Sequence, residues 1–354
     1  MGSPPSPPPS DLAGSAIAIG KVPLTSPLTQ AALSGYSDWP MRLVARRHGA
    51  AYTLCEVMLD QFLVRIKDRR RNRHLLYRSE DERPVGGQLM GADPELFAEG
   101  ARRLVAAGFD VIDINFGCPV KKVVGKCRGG YHLGQPDVAL EIIQRTRDAV
   151  PPDIPVTLKM RKGIDDSAQS RDHFYRILEG AFDAGIAAVT VHGRTVEQRY
   201  VGPSDWEFLA EVKRFLGERL LFGSGDLFSP HDCVRMLRET GVDGLSVARG
   251  AIGNPWIFPR TLALLAGRPL PPPPTLHEQR NVMWEHYRLA ESIYGEKRTP
   301  VLMRKFGIKY ARLHPRYPDV RQSMVRVRSR ADFRAALDRW YADDLPGVEP
   351  VCDE

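Results

Sequence analysis

Between Leu28 and about Phe258 the chain alternates two hydrophobic periods. Short runs rich in Val, Ile and Leu recur at Pro27–Ala31, Ala51–Cys55, Val85–Met90, Val111–Phe116, Pro155–Met160, Ala188–His192, Leu220–Gly223 and Gly244–Val247. Parallel strands covered by helices need such runs. Amphipathic stretches with helical spacing lie between them, such as Pro94–Ala107 and Asp137–Ala149. Asp93 before Pro94 makes a good N-cap and first-turn pair, and Gly108 and Gly185 suit helix ends. Eight such units predict an α/β fold, a TIM (β/α)8 barrel over residues 23–265. A doubly wound open sheet competes, but no Gly-x-Gly-x-x-Gly follows the first strand.

The pattern then changes. Residues 266–275 read AGRPLPPPPT, a stiff polyproline-type linker. Beyond it, Leu276–Ile293, Pro300–Leu313, Tyr317–Val327 and Ser329–Tyr341 have helical spacing, which predicts a small all-helical C-terminal domain over 276–345. Residues 1–22 open with MGSPPSPPPS and read as a disordered Pro/Ser-rich tail rather than a secretory signal or a myristoylation site. The apolar runs fall far short of the ~20 residues that span a membrane.

Composition and charge narrow the class. With 43% hydrophobic and 26% charged residues the chain is of the soluble globular type. Its five cysteines, Cys55, Cys118, Cys127, Cys233 and Cys352, are odd in number and form no C-x-x-C pair. Neither a zinc site nor a disulfide framework is expected, and a reducing cytoplasm fits. The net charge of +7 is unevenly placed: from Lys297 to Arg330 eleven Lys/Arg stand against one acid, Asp319. A second basic run spans Arg65 to Arg73. Such clusters mark either a polyanion partner or a solvated helix face.

In a TIM barrel the chemistry lies past the C-terminal strand ends. Those positions hold AALSGYSD (31–38), Glu56, Gln88, Asn115 with Gly117 and Cys118, Lys159 with Arg161, His192, GSGD (223–226) and ARG (248–250). A lone His or Lys there is more often structural than catalytic; the conjunction is what counts. Loops seven and eight are this fold's usual phosphate site, and GSGD and ARGAIG supply glycine N–H groups and a guanidinium. Lys159, Gln88 and His192 suit a flat heterocycle that gains negative charge on reduction. Flavin mononucleotide (FMN) has both parts. The alternative is another phosphorylated ligand above ordinary turn glycines.

These motifs resemble those of the tRNA-dihydrouridine synthases. DINFGCPVKKV is similar to that family's cysteine motif, HGRTVEQRYVGPSDW to its HGRT signature, and VTLKMRKG to its strand-five lysine motif. GVDGLSVARGAIGNPWIF resembles its phosphate-binding end, SGYSDWPMR its first loop, and RKFGIKYARLHP the start of its RNA-binding helical domain. The resemblance implies an FMN enzyme that uses NADPH to reduce specific uridines of tRNA to dihydrouridine. Ala32, Leu33, Ser34, Gln88, Lys159 and His192 would contact the flavin, and Ser224, Gly225, Asp226, Ala248 and Arg249 its phosphate end. Asn115, Arg161 and Arg194 fall on the substrate side. Hydride would pass from flavin N5 to uracil C6, and a proton from Cys118 to C5. The uracil must leave its stack, and the two basic regions are expected to hold RNA phosphates. A cytoplasmic monomer is expected, with no membrane and no metal.

The chain departs from that family's pattern in places. Ala32-Leu33 stands where Pro-Met is usual, and Ser224-Gly225-Asp226 where Asn-Gly-Asp is usual. KCRGGYHL (126–133) replaces a loop of small residues, where Tyr131 and His132 could alter the fit of the uridine or its neighbours, so the choice of uridine stays open, and Cys127 offers a second thiol. Two other readings remain: a flavin barrel acting on a free pyrimidine, dihydroorotate dehydrogenase-like, and an RNA-binding protein on an inactive barrel. The basic helical domain argues against the first. The joint presence of Cys118, Lys159 and His192 argues against the second.

Overall fold

The computed structural model describes residues 17–66 and 70–351. Residues 1–16 of the expected tail, 67–69 of the second basic run, and Cys352 lie outside the described residues, as do the side chains of Arg70, Arg71 and Arg73. The tail expected through residue 22 ends earlier. Strands β1 (Ile17–Ile19) and β2 (Val22–Leu24) form an antiparallel hairpin. Its Ile17, Ile19 and Leu24 pack on Ala51, Tyr52, Leu54, Val111, Ala188 and Phe222, closing the N-terminal end of the barrel. The period-two pattern was there in IAIGKVPL, but it is short and borders a Pro/Ser-rich stretch.

Then come β3 (Leu28–Gln30), β4 (Tyr52–Leu54), β5 (Met58–Leu59), β6 (Val85–Met90), β7 (Val111–Phe116), β8 (Val156–Arg161), β9 (Ala188–His192), β10 (Leu221–Ser224) and β11 (Gly244–Val247). All pair in parallel, and β4–β6 and β11–β3 pairings close eight of them into a barrel. This excludes the open sheet. The unexpected β5 extends the ladder along β6 past the end of β4.

Register explains how an apolar barrel carries polar chemistry. Asn115 on β7 lies beside Lys159 on β8, Lys159 beside Thr190 on β9, and His192 beside both Arg161 and Ser224. Their sequence neighbours Ile114, Leu158, Val189 and Val191 point the other way and are fully buried. Alternation along each strand thus sends polar groups toward the lumen and aliphatic ones under the helices.

The surrounding helices are α1 (Trp39–Arg47), α2 (Asp60–Arg65), α3 (Pro94–Ala106), α4 (Lys121–Val124), α5 (Pro136–Ala149), α6 (Ala168–Asp183), α7 (Trp206–Leu216), α8 (Pro230–Thr240) and α9 (Ile257–Leu265). Asp93 caps α3 by accepting from the Glu95 and Leu96 N–H groups. The helical region comprises α10 (Leu276–Tyr294), α11 (Thr299–Tyr310), α12 (Tyr317–Val325) and α13 (Arg330–Trp340), around buried Met283, Tyr287, Phe306, Met324, Phe333 and Tyr341. The proline stretch before it is pinned, because Arg260 Nε donates to the Pro271 carbonyl while its Nη1 pairs with Glu349.

The bundle docks on two barrel loops. The Tyr294 hydroxyl donates to Asp38 at 3.0 Å, Phe306 meets Tyr36 edge-on at 5.5 Å, and Arg312 donates to the Ile252 carbonyl at 2.8 Å. No helix among the described residues is long and apolar enough to cross a membrane.

Candidate active site

The parallel strands deliver their C-terminal ends to one rim, where a cleft of about 510 Å³ opens. That volume is in the range of small-molecule sites. Of the residues given a cofactor, substrate or catalytic role from sequence, all line this cleft except Arg194. Ala32, Leu33 and Ser34 enter from the β3–α1 loop, which Ser37 braces by accepting from the Leu33 N–H at 2.8 Å.

One hydrogen-bonded chain crosses the lumen to the cysteine. Buried Asp113 accepts from Thr157 Oγ1 at 2.5 Å and from Gln88 Nε2 at 2.7 Å. Gln88 Oε1 accepts from Asn115 Nδ2 at 2.7 Å. Asn115 Oδ1 then accepts from the N–H groups of Gly117 and Cys118, at 3.0 and 3.1 Å. Both ends of the Asn115 amide are therefore engaged. It lines the cleft and also shapes the Gly117–Cys118 turn. Burial raises the Cys118 thiol above its ordinary pKa, while the Val120 N–H and the Arg161 charge pull it partly back. The thiol thus keeps its proton at neutral pH.

The opposite wall is cationic. Burial first, then Arg161, lowers Lys159 to about 8, with Asp113 opposing the shift. His192 is pushed down to about 2 by burial and by Lys159, Arg161, Arg194 and Arg249, so its imidazole is neutral. Arg161 spends Nε on the Gly117 carbonyl (3.0 Å) and Nη1 on the Thr195 and Arg199 carbonyls (2.7 and 2.8 Å). It therefore ties the cysteine turn to the β9–α7 loop.

At the far end a cradle forms. Gly225 has φ +116°, and a Cβ there would fall 2.3 Å from Ser204 Oγ and 2.7 Å from the His192 ring. Only glycine lets this backbone pass so close. Ser224 donates its hydroxyl to the Ser246 carbonyl at 3.1 Å, locking β10 to β11. Asp226, which lines the cleft, accepts two bonds from Arg194 Nη2 at 2.8 Å and one from the Ser204 N–H at 2.7 Å, and its carboxylate lies 3.7 Å from Arg249 Nη2. Arg194 also donates to the Gly202 carbonyl and is nearly fully buried, so it braces the loops rather than facing a substrate. Arg249 is more open: its side chain is 43% exposed, and its guanidinium lies over Tyr200 and Phe228 at 4.9 Å each.

The unusual 126–133 loop packs beside the cysteine turn, where the Gly130 N–H donates to the Cys118 carbonyl at 3.1 Å. His132 is buried against Phe116 and bonds the Gly91 carbonyl at 2.9 Å. Neither it, Tyr131 nor Cys127 lines the cleft, and Cys127 is exposed. Sequence reasoning missed Tyr36, Tyr200 and Phe228, and above all Lys309 and Arg312, which reach the cleft from the helical region. SGYSDWPMR, HGRTVEQRY and RKFGIKYARLHP contain four of these residues, but strand-end logic does not single out side chains in long loops or in a second domain. No group of three or more His, Cys, Asp or Glu among the described residues is placed to hold a metal ion.

Comparison with known proteins agrees with this geometry. Residues 29–344 match the family model described as dihydrouridine synthase. A protein of Xanthomonas campestris pv. campestris named tRNA-dihydrouridine synthase B is 34% identical over 94% of this chain and 98% of its own length. One of that name from Pseudomonas aeruginosa is 34% identical over 93% of each chain. A probable tRNA-dihydrouridine synthase of Mycobacterium tuberculosis is 33% identical over 96% of this chain and 87% of its own. Among solved structures, the histamine dehydrogenase of a Rhizobium species matches with a TM-score of 0.54 at 17% identity. It covers 70% of this chain and 47% of that longer one, a likeness of fold alone.

Proposed function

Because the chain belongs to the dihydrouridine synthase family, we propose that it is an FMN-dependent, NADPH-linked enzyme reducing specific uridines of tRNA to dihydrouridine. What supports this most is one cleft that joins a protonated Cys118 thiol, a half-buried lysine, and a glycine-and-arginine cradle.

The residues present fit FMN. Backbone groups at Ser224, Gly225, Asp226 and Ala248, with the Arg249 guanidinium, would hold its phosphate. The 32–34 backbone, Gln88, Lys159 and neutral His192 would hold its ring system. When bound and reduced by NADPH, the flavin supplies a hydride to uracil C6. The chain's own residues do the rest. Lys159 places positive charge where negative charge develops. Cys118 carries the proton that C5 requires, on a turn whose position is set by Asn115. Arg161 keeps Nη2 available for a uracil carbonyl after its other donors are spent on backbone. At the rim, half-exposed Tyr200 and Val120 offer apolar surface to a base that has left its stack.

The helical region would hold RNA phosphates through Arg321 and Arg326, exposed cations with no acidic partner among the described residues. We place the enzyme in the cytoplasm as a monomer. The test is to map dihydrouridine in RNA from cells with and without this gene, alongside the absorption spectrum of the purified protein. A yellow protein and a lost tRNA site are expected. No lost site would overturn the substrate assignment, and a colourless protein that binds no added FMN would overturn the cofactor.

A further inference from the structure

Asp113 stands where a barrel lumen is ordinarily filled by branched aliphatic side chains. It lies on β7, is only 2% exposed and lines no part of the cleft. Beneath the cleft the lumen leaves about 10 Å³ between Tyr52, Asp113, Thr157 and Ser246, room for at most one water. No substrate or cofactor therefore reaches this carboxyl. Burying it costs free energy that an aliphatic residue would not cost. Its task must lie in what it holds.

It holds the first member of a chain with one possible polarity. Backbone N–H groups only donate, so the Asn115 oxygen must face the Gly117 and Cys118 N–H groups. The Asn115 nitrogen then faces Gln88, whose oxygen must accept. That leaves the Gln88 nitrogen pointing at Asp113 Oδ2, 2.7 Å away. An acceptor oxygen at this end keeps both amides in register. Without one, Gln88 gains by turning its nitrogen away from the apolar end. Its nitrogen would then meet the Asn115 nitrogen, and Asn115 would lose its orientation toward the cysteine turn.

We propose that Asp113 is a positioning residue for the proton donor: acting through Gln88 and Asn115, it fixes the turn that carries Cys118. This rests on Cys118 being the acid, as read above. The position requires an acceptor, not a charge. In Asp113→Asn the amide oxygen can still accept from Gln88 while its nitrogen donates to the Thr157 hydroxyl, which both donates and accepts. Asp113→Leu has the same branching and no acceptor. Both variants lose whatever charge Asp113 sets against Lys159, so the difference between them reads the acceptor alone.

Turnover on tRNA per bound flavin is measured for Asp113→Asn, Asp113→Leu, Asn115→Ala, the Asp113→Leu/Asn115→Ala double variant and Cys118→Ala. Asp113→Leu should have a kcat roughly tenfold below that of Asp113→Asn, with little change in KM for tRNA, because a slightly misplaced donor slows the step it serves. The double variant should be no slower than the slower single one, since both act through one chain. Two independent tenfold effects would multiply to roughly 100-fold. Multiplying effects, or equal kcat in Asp113→Asn and Asp113→Leu, overturn the inference. Should Asp113→Leu fail to fold, Asp113→Val, smaller and suited to a strand, takes its place. Full turnover in Cys118→Ala brings down the reading of the acid and this inference with it. Lost turnover in Cys118→Ala with multiplying effects in the double variant removes the inference and leaves that reading standing.

Discussion

At the scale of residues, burial sets each protonation state in the cleft, and the directions are mutually consistent. The Cys118 thiol is raised, so it stays an acid at neutral pH. Cys118→Ala should retain flavin and NADPH oxidation yet lose turnover on tRNA by about 10²–10⁴-fold, the usual worth of a general acid. Unchanged turnover would move the role to exposed Cys127 or to another group. Lys159 carries its charge below pH about 8 and loses it above, since burial lowers it to that value. Turnover that depends on this charge should hold through neutral pH and decline above about 8. In Lys159→Met the plateau should be lower and that decline absent; an alkaline limb that persists unchanged belongs to another residue. His192 adds no inflection near its ordinary pKa, because it is neutral down to about 2.

Single elements show why some roles were legible and others were not. Strands β6 to β9 were readable because runs of Val, Ile and Leu are hard to mistake, and their polar interruptions mark the lumen. That Asn115 also holds a turn was not readable, because the acceptors of backbone N–H groups are set by the folded loop. Its Oδ1 collects the N–H groups of Gly117 and Cys118, and its Nδ2 is held by Gln88, which Asp113 holds in turn. The same applies to Asp226 and Arg194. Motif position could not show that they are each other's counterion, because partner choice is made in three dimensions. Asn115→Ala leaves two turn N–H groups without their acceptor, at a cost of about 1–3 kcal/mol of local order. Because the proton donor must be positioned within a fraction of an ångström, turnover should fall by about tenfold or more. FMN affinity should change little. Rates and flavin titrations on one preparation check both, and a variant with full turnover would show the turn to be held otherwise.

For the whole molecule, charge distribution and docking geometry have to be weighed together. The basic window from Lys297 to Arg330 suggested a large polyanion surface, yet several of its cations already have partners within the chain. Lys305 reaches the Gly35 carbonyl, Arg304 the Val327 carbonyl, and Arg312 the Ile252 carbonyl, while Arg316 and Arg330 pair with Asp319 and Glu291. On the function proposed above, the surface left for RNA is smaller than the sequence count and would include exposed Arg321 and Arg326, on and just after α12. Each phosphate neutralised releases counterions, so the salt dependence of binding reports how many phosphates the protein holds. The logarithmic slope changes by roughly 0.7–0.9 for each phosphate that goes unneutralised. Replacing Arg321 and Arg326 together by Ala should thus flatten the slope for tRNA by about 1.4–1.8 and raise KM at physiological salt. The kcat at saturating tRNA should stay near wild type, because neither residue reaches the cleft. A slope unchanged within error would place the RNA on another face of the bundle. A fall in kcat with the slope intact would instead mean that these arginines act through the bundle's hold on the barrel loops, where α10 and α11 join the two halves of the molecule.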